Sequence, residues 1–283
     1  GNCLMQLGKT EEARAKFEEA LTLAPENTEV LSLMARILYA LGDYAYAVEI
    51  LQRLRQLSPG AWFAELLLSM CFYHLRRDRE AFDAVNRALA IQSNDLSLYI
   101  LKMQILIRNE IYEDVHEILN FLKESGAPSD IALDFIQAEL TELEKKDAKG
   151  ALKQYQALRK RVEAGEDLAW GAELYYHLAV LTGNQTGVTQ EGTRRTVLEL
   201  VDRGLSYNEQ DTDLLAYKAW VLKQGGLRQE AIEMYQKVLQ KNPNSVNAMR
   251  GIADLYYADW MENAAEALFY YEKLLEIQKT AEL

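Results

Sequence analysis

The sequence predicts an all-α fold, an α-solenoid of antiparallel helix hairpins. Three observations carry that prediction. Residues 28–61, TEVLSLMARILYALGDYAYAVEILQRLRQLSPGA, hold two apolar stripes at helical spacing, parted by Gly42-Asp43 and closed by Pro59. The arrangement returns with a period of 34 residues. The four prolines, Pro25, Pro59, Pro128 and Pro243, all fall at the ends of the repeating unit.

In that unit Leu31, Met34, Ala35 and Leu38 make one stripe, and Ala47, Leu51 and Leu54 make the other. Gly42 takes a left-handed conformation without a side-chain clash, which ends the first helix and reverses the chain. Ala35 and Ala47 are small where the helices face each other, so the hairpin closes tightly. Pro59 cannot continue a helix. One hairpin cannot bury its apolar surface alone, so it needs a neighbour on each side.

A shift of 34 takes Gly8 to Gly42, Pro25 to Pro59, Ala13 to Ala47 and Ala81, and Phe17 to Leu51 and Val85. Ala219, Gly226, Ala231, Tyr235 and Pro243 fill the same slots near the end. This pattern resembles the tetratricopeptide repeat family, whose signature is small residues at two slots, an aromatic or apolar residue at a third, and a closing proline. The resemblance covers nearly the whole chain. It implies a right-handed superhelix whose first helices line a concave groove that takes a peptide or protein segment.

Taken in order, the expected units are a partial repeat 1–27 and repeats 28–61, 62–95, 96–129, 130–167, 168–211, 212–245 and 246–277 of one solenoid, 1–283. Arg76 and Glu110 replace the turn glycine in the third and fourth units, and Arg76-Arg77-Asp78-Arg79 reads as a solvated turn. The register of 131–143 is indistinct, with Glu144 to Gly150 as the turn. Residues 183–192, GNQTGVTQEG, are expected to be an exposed inserted loop. Asn184-Gln185-Thr186 matches a glycosylation acceptor, a triplet that carries weight only in a secretory context. The last unit keeps Ala253, Tyr256 and Ala267, with extra residues around Trp260. Gly1 falls mid-helix in the register, so a fragment is expected. No polar capping helix follows Ile277, so Leu274, Leu275 and Ile277 are expected to be partly exposed or covered by self-association.

Lys and Arg number 31 against 43 Asp and Glu, a net charge of −12. That balance suits phosphate backbones poorly, so nucleic acid is not an expected partner. No run of about 18 apolar residues is present to span a membrane. Cys3 and Cys71 hold the same slot two hairpins apart, beyond disulfide reach, and read as core-filling thiols compatible with a reducing compartment.

No catalytic constellation or cofactor motif emerges. His74 and His177 are about three units apart and cannot share a metal, and His116 lies on a second helix; all three read as structural or surface histidines. The carboxylates Glu11, Glu12, Glu18 and Glu19 read as solvated helix faces. The chain is therefore expected to be a non-enzymatic binding protein. Carrying the family register onto this sequence, the groove residues are Arg36, Tyr39, Met70, Tyr73, Gln104, Arg108, Tyr176, Tyr217, Trp220, Lys223, Arg250 and Tyr257, with Leu33, Phe63, Leu67, His177 and Asp254 beside them. Aromatics interspersed with cations are what binding hot spots favour, and the cations suggest a ligand with acidic groups. The carboxylate clamp of the chaperone-tail subfamily is not expected. Asn2 fits one of its slots, but Leu33, Phe63 and Leu67 occupy others, and a start one unit later meets Ser32, Arg36, Leu67, Ser97 and Leu101. The alternative role is a structural spacer or assembly module acting through its ends or convex face.

Overall fold

A computed structural model describes residues 10–126, 130–258 and 260–281. Among them are fifteen helices and no strand. Contacts divide the chain into two units, 1–140 and 141–283. In the first lie α1 (Thr10–Leu23), α2 (Thr28–Ala40), α3 (Tyr44–Leu57), α4 (Trp62–His74), α5 (Asp78–Ile91), α6 (Leu96–Arg108) and α7 (Tyr112–Glu124). The division falls near the end of α8 (Ile131–Leu143). The second holds α9 (Ala148–Glu163), α10 (Gly171–Thr186), α11 (Glu191–Leu205), α12 (Thr212–Gln224), α13 (Arg228–Lys241), α14 (Val246–Ala258) and α15 (Trp260–Ala281). The fold is an all-α solenoid of helix hairpins; from α1 to α7 in the first unit and from α9 to α15 in the second, each helix packs on the next.

The same local chemistry closes successive hairpins. After α2 the amide of Asp43 donates to the carbonyl of Leu38 and that of Gly42 to Tyr39, at 2.9 and 3.0 Å. This pair of bonds satisfies the last carbonyls and requires a left-handed residue. Gly42 supplies it, with φ 72°. The bonds recur at Arg77–Phe72 with Arg76–Tyr73, Ile111–Leu106 with Glu110–Ile107, and Leu227–Leu222 with Gly226–Lys223. Where the glycine is missing the conformation persists: Arg76 has φ 59° and Glu110 φ 60°. The chain reversal is thus set by helix-end hydrogen bonding, and glycine only makes it cheaper. The opposite helix ends carry acceptor caps, Asn27 taking the amides of Glu29 and Val30, and Asp211 those of Asp213 and Leu214.

Each core follows the stripes. Leu31, Met34, Ala35 and Leu38 are buried against Ala47, Leu51 and Leu54 in the first unit. Leu215, Ala219 and Leu222 meet Ala231, Ile232 and Tyr235 in the second. Ala13, Ala81, Phe17 and Val85 are buried in their slots too. Pro128 and Cys3 lie outside the described residues.

The 183–192 segment is a correction. Helix α10 runs on to Thr186, and the connection is four residues, Gly187 to Gln190. Gly183 is buried inside the helix because the Tyr217 hydroxyl and Val188 crowd its open side; a Cβ there would meet them at 2.6 and 2.9 Å. Val188 is buried as well. A packed valine and a glycine required by close approach convert the polar insert into an added helical turn.

Candidate binding surfaces

Second helices such as α5, DREAFDAVNRALAI, are amphipathic, and so are the first helices α2 and α14. The first helix α4, WFAELLLSMCFYH, is apolar nearly all round. On α4 one side is buried through Ala64, Leu68, Cys71 and Phe72, while Leu67, Met70 and Tyr73 stay half-buried and Phe63 is exposed. On α2, Leu33 and Tyr39 are half-buried and Arg36 is exposed. The first unit therefore presents an apolar strip with a cation at its margin.

At the ends of these helices side chains tie neighbours together. The Tyr39 hydroxyl and His74 Nε2 are hydrogen-bonded at 3.1 Å. The His74 ring lies flat on Tyr44 at 4.5 Å between centroids and edge-on to Tyr73. Burial, then the charges of Arg108 and Arg76, push the His74 imidazole down to about 4, so it is neutral at pH 7. Arg108 donates to the carbonyl of Tyr73 at 2.9 Å, pairs with Asp78, and stacks on the Tyr73 ring.

In the second unit Tyr176, Tyr217 and Trp220 form an aromatic run. Tyr217 stacks on Trp220 at 5.6 Å and meets Tyr176 edge-on at 6.0 Å. The Tyr217 hydroxyl donates to the Ala179 carbonyl at 3.3 Å, and burial pushes its pKa up to about 12, Tyr176 adding to the effect. Trp220 keeps 38% of its surface exposed and Tyr257 keeps 63%. Lys223 Nζ donates to Asp254 at 2.8 Å, and Asp254 also accepts from the Tyr271 hydroxyl at 3.0 Å. Arg250 is exposed. His177 Nδ1 is 2.8 Å from a Glu142 carboxylate oxygen and its ring stacks on Tyr155. Burial raises the Glu142 pKa, but the bond to His177, its charge and a bond from Tyr155 outweigh burial and hold it low.

Three expected groove residues are otherwise engaged. Gln104 is buried and donates to the buried Glu139, so it presents nothing to an open face. Arg108 is committed to Asp78 and the Tyr73 carbonyl, and Lys223 to Asp254. Arg36, Met70, Trp220, Arg250 and Tyr257 keep accessible surface. The partners Glu139, Asp78 and Glu142 were missed. A signal for Glu139 and Glu142 existed: Tyr39–His74, Tyr73–Arg108, Gln104–Glu139 and Glu142–His177 are each separated by 35 residues, one period plus one.

Among the described residues no group of three His, Cys, Asp or Glu is placed to hold a metal, and no helix is long and apolar enough to cross a membrane. Cys71 is buried and burial pushes its thiol up to about 12, so it is a poor nucleophile.

Models described as tetratricopeptide repeat match residues 4–64 and 200–245. Over 104 residues, 37% of this chain, the sequence is 25% identical to the BBSome complex member BBS4 of Bos taurus. The match spans 20% of that relative's length. Among solved structures, a tetratricopeptide repeat protein from Parabacteroides merdae superimposes with a TM-score of 0.58 at 12% identity, covering 90% of this chain and 94% of that one. The APC/C hetero-tetramer Cut9-Hcn1 superimposes with a TM-score of 0.56 at 13% identity, over 89% of this chain and 47% of that one. At such identities the structures show a shared fold.

Proposed function

We propose that this chain, a tetratricopeptide-repeat protein, is a non-enzymatic scaffold whose first helices hold a peptide or protein segment. One observation carries the reading. After hairpin packing is complete, first helices of both units still hold out apolar and aromatic side chains, and such a face is stable in water chiefly when something covers it. Leu33, Phe63, Leu67 and Met70 form that face in the first unit, and Tyr176, Tyr217, Trp220 and Tyr257 in the second. Aromatics of this kind supply contact area at small entropic cost.

The internal pairing of Arg108 and Lys223 narrows the charge expected of the ligand. Arg36 and Arg250 remain as the cations for an acidic group, one per unit. The names of the relatives agree with an assembly role, since one is a complex member and one structure is a hetero-tetramer. The acidic balance argues against nucleic acid. Replacing Met70 and Trp220 by serine is expected to abolish partner capture with the melting temperature within a few degrees of the parent. Undiminished capture would contradict the proposal.

A second reading has its own observation. On α15, Leu268, Phe269 and Leu275 are exposed, which favours an assembly module acting through this helix, including self-association. Leu275→Glu is expected to shift the sedimentation of any self-associated species to that of the monomer.

A further inference from the structure

We propose that α9 docks an acidic segment of a partner protein along its solvent face. The helix carries Lys149, Lys153, Arg159, Lys160 and Arg161 against a single carboxylate, Glu163. Residues 145–161 together hold seven cations and one carboxylate, in a chain whose net charge is −12. Positive charge is gathered into one short stretch instead of being interspersed with the acids that outnumber it.

Pairing divides these cations into two kinds. Arg159 donates to Glu163 and Arg161 to Glu166, each at 2.7 Å. Lys145, Lys146, Lys149, Lys153 and Lys160 are exposed, and among the described residues none of their ammonium groups makes an ion pair or a hydrogen bond. Lysines on other second helices do find carboxylates within the chain, as Lys16 finds Glu19.

Lys149, Lys153 and Lys160 stand at i, i+4 and i+11, which sets them on one face of the helix, with the exposed Gln156 filling the turn between. The column is about 16 Å long. Like charges one turn apart repel. Lys149 also lies in the first turn, where the macrodipole disfavours a cation, whereas α1, α5 and α7 place Glu11, Asp78 and Glu113 there. Asp147 caps α9 through the amide of Gly150, so the helix end itself is closed. The unrelieved charge runs along the side of the helix, and a row of carboxylates laid against it removes the repulsion.

The chemistry of the column selects the occupant. Its unpaired cations are ammoniums, while the two guanidiniums, whose forks match phosphate, are spent on Glu163 and Glu166. The exposed residues between Lys149 and Lys160 are Lys153, Gln156 and Ala157. They include no aromatic ring to stack a base and no large aliphatic to enter a bilayer. What remains is point-charge pairing with carboxylates, with the amide of Gln156 as a further donor. The partner segment therefore carries Asp or Glu along one side for about 16 Å.

The test uses the intact chain and a labelled, alanine-based helical peptide of about 18 residues, with glutamates at three- and four-residue spacing along one face. Fluorescence anisotropy is expected to show saturable binding that weakens as salt is raised. The triple variant Lys149→Glu, Lys153→Glu, Lys160→Glu is expected to lower the affinity about tenfold or more, and to bind the lysine counterpart of the peptide, which the parent does not. A melting temperature near the parent's shows that the variant is folded. Lys237→Glu with Lys241→Glu, on α13, is expected to leave the affinity unchanged, as is Trp220→Ser, which separates this surface from the first-helix face. Absence of binding, or indifference to the triple variant, would overturn the proposal. So would tighter binding of anionic phospholipid vesicles or single-stranded RNA through the same lysines, or self-association of the chain alone that the triple variant abolishes.

Discussion

The guanidinium carbon of Arg108 lies 3.5 Å from the centroid of the Tyr73 ring, stacked on a side chain from the preceding first helix. The same group donates to the Tyr73 carbonyl and pairs with Asp78 on the intervening second helix. Arg108 therefore bolts two hairpins together. Arg108→Gln is expected to destabilise the first unit by about 2 kcal/mol, from lost cation–π contact and an unpaired, partly buried Asp78. Urea denaturation checks the magnitude, and binding at the second unit should be unaffected.

His74 makes the first unit sensitive to mild acid. Its pKa falls from an ordinary value near 6.5 to about 4 in the folded chain. Above pH ~6.5 the ring is neutral folded or unfolded and contributes no pH dependence. Between about pH 6.5 and 4 the unfolded chain takes a proton that the folded chain refuses, so stability falls with pH, by about 2–3 kcal/mol at most. The difference in unfolding free energy between the parent and His74→Gln is expected to vary with pH across that window and to be constant above it.

The left-handed turns at Arg76, Glu110 and Lys146 store local backbone cost, since each is a non-glycine residue with φ between 57 and 60°. Replacing Arg76 or Glu110 by glycine is expected to raise stability by about 0.5–1 kcal/mol each. Thermal melts of the single and double variants should show additive gains, since the turns belong to different hairpins.

Gly251 inside α14 faces the Tyr235 ring, where a Cβ would lie 2.4–2.5 Å from ring atoms. Alanine normally favours a helix over glycine by about 1 kcal/mol. Here overpacking is expected to win, with Gly251→Ala destabilising the second unit by about 1–2 kcal/mol net. A melting temperature equal to or above the parent's would show that Tyr235 moves aside without cost.

The hairpins were legible because period and apolar stripe are properties of the sequence alone: Ala35, Ala47, Leu51 and Tyr235 went to the core for the reasons their spacing states. The insert at 183–192 was misread because its composition is that of a loop, while Gly183 obeys a packing demand set by Val188 and by Tyr217 of the next hairpin. The surface was half legible. Register identifies which residues of a first helix turn away from their own hairpin, but not whether a neighbouring hairpin has already claimed them. Gln104, Arg108 and Lys223 were claimed by Glu139, Asp78 and Asp254. Burial on two sides by separate elements leaves no mark at any single helical period.

The central claim is that partners bind to the faces of the first helices. A photo-crosslinking side chain placed singly at Arg36, Met70 or Trp220, and for comparison at the exposed second-helix positions Glu49, Asp83 and Glu233, tests it most directly. The account predicts covalent adducts with a discrete partner from the first set and none from the second. Adducts from Glu49, Asp83 or Glu233, with none from Arg36, Met70 or Trp220, would contradict it.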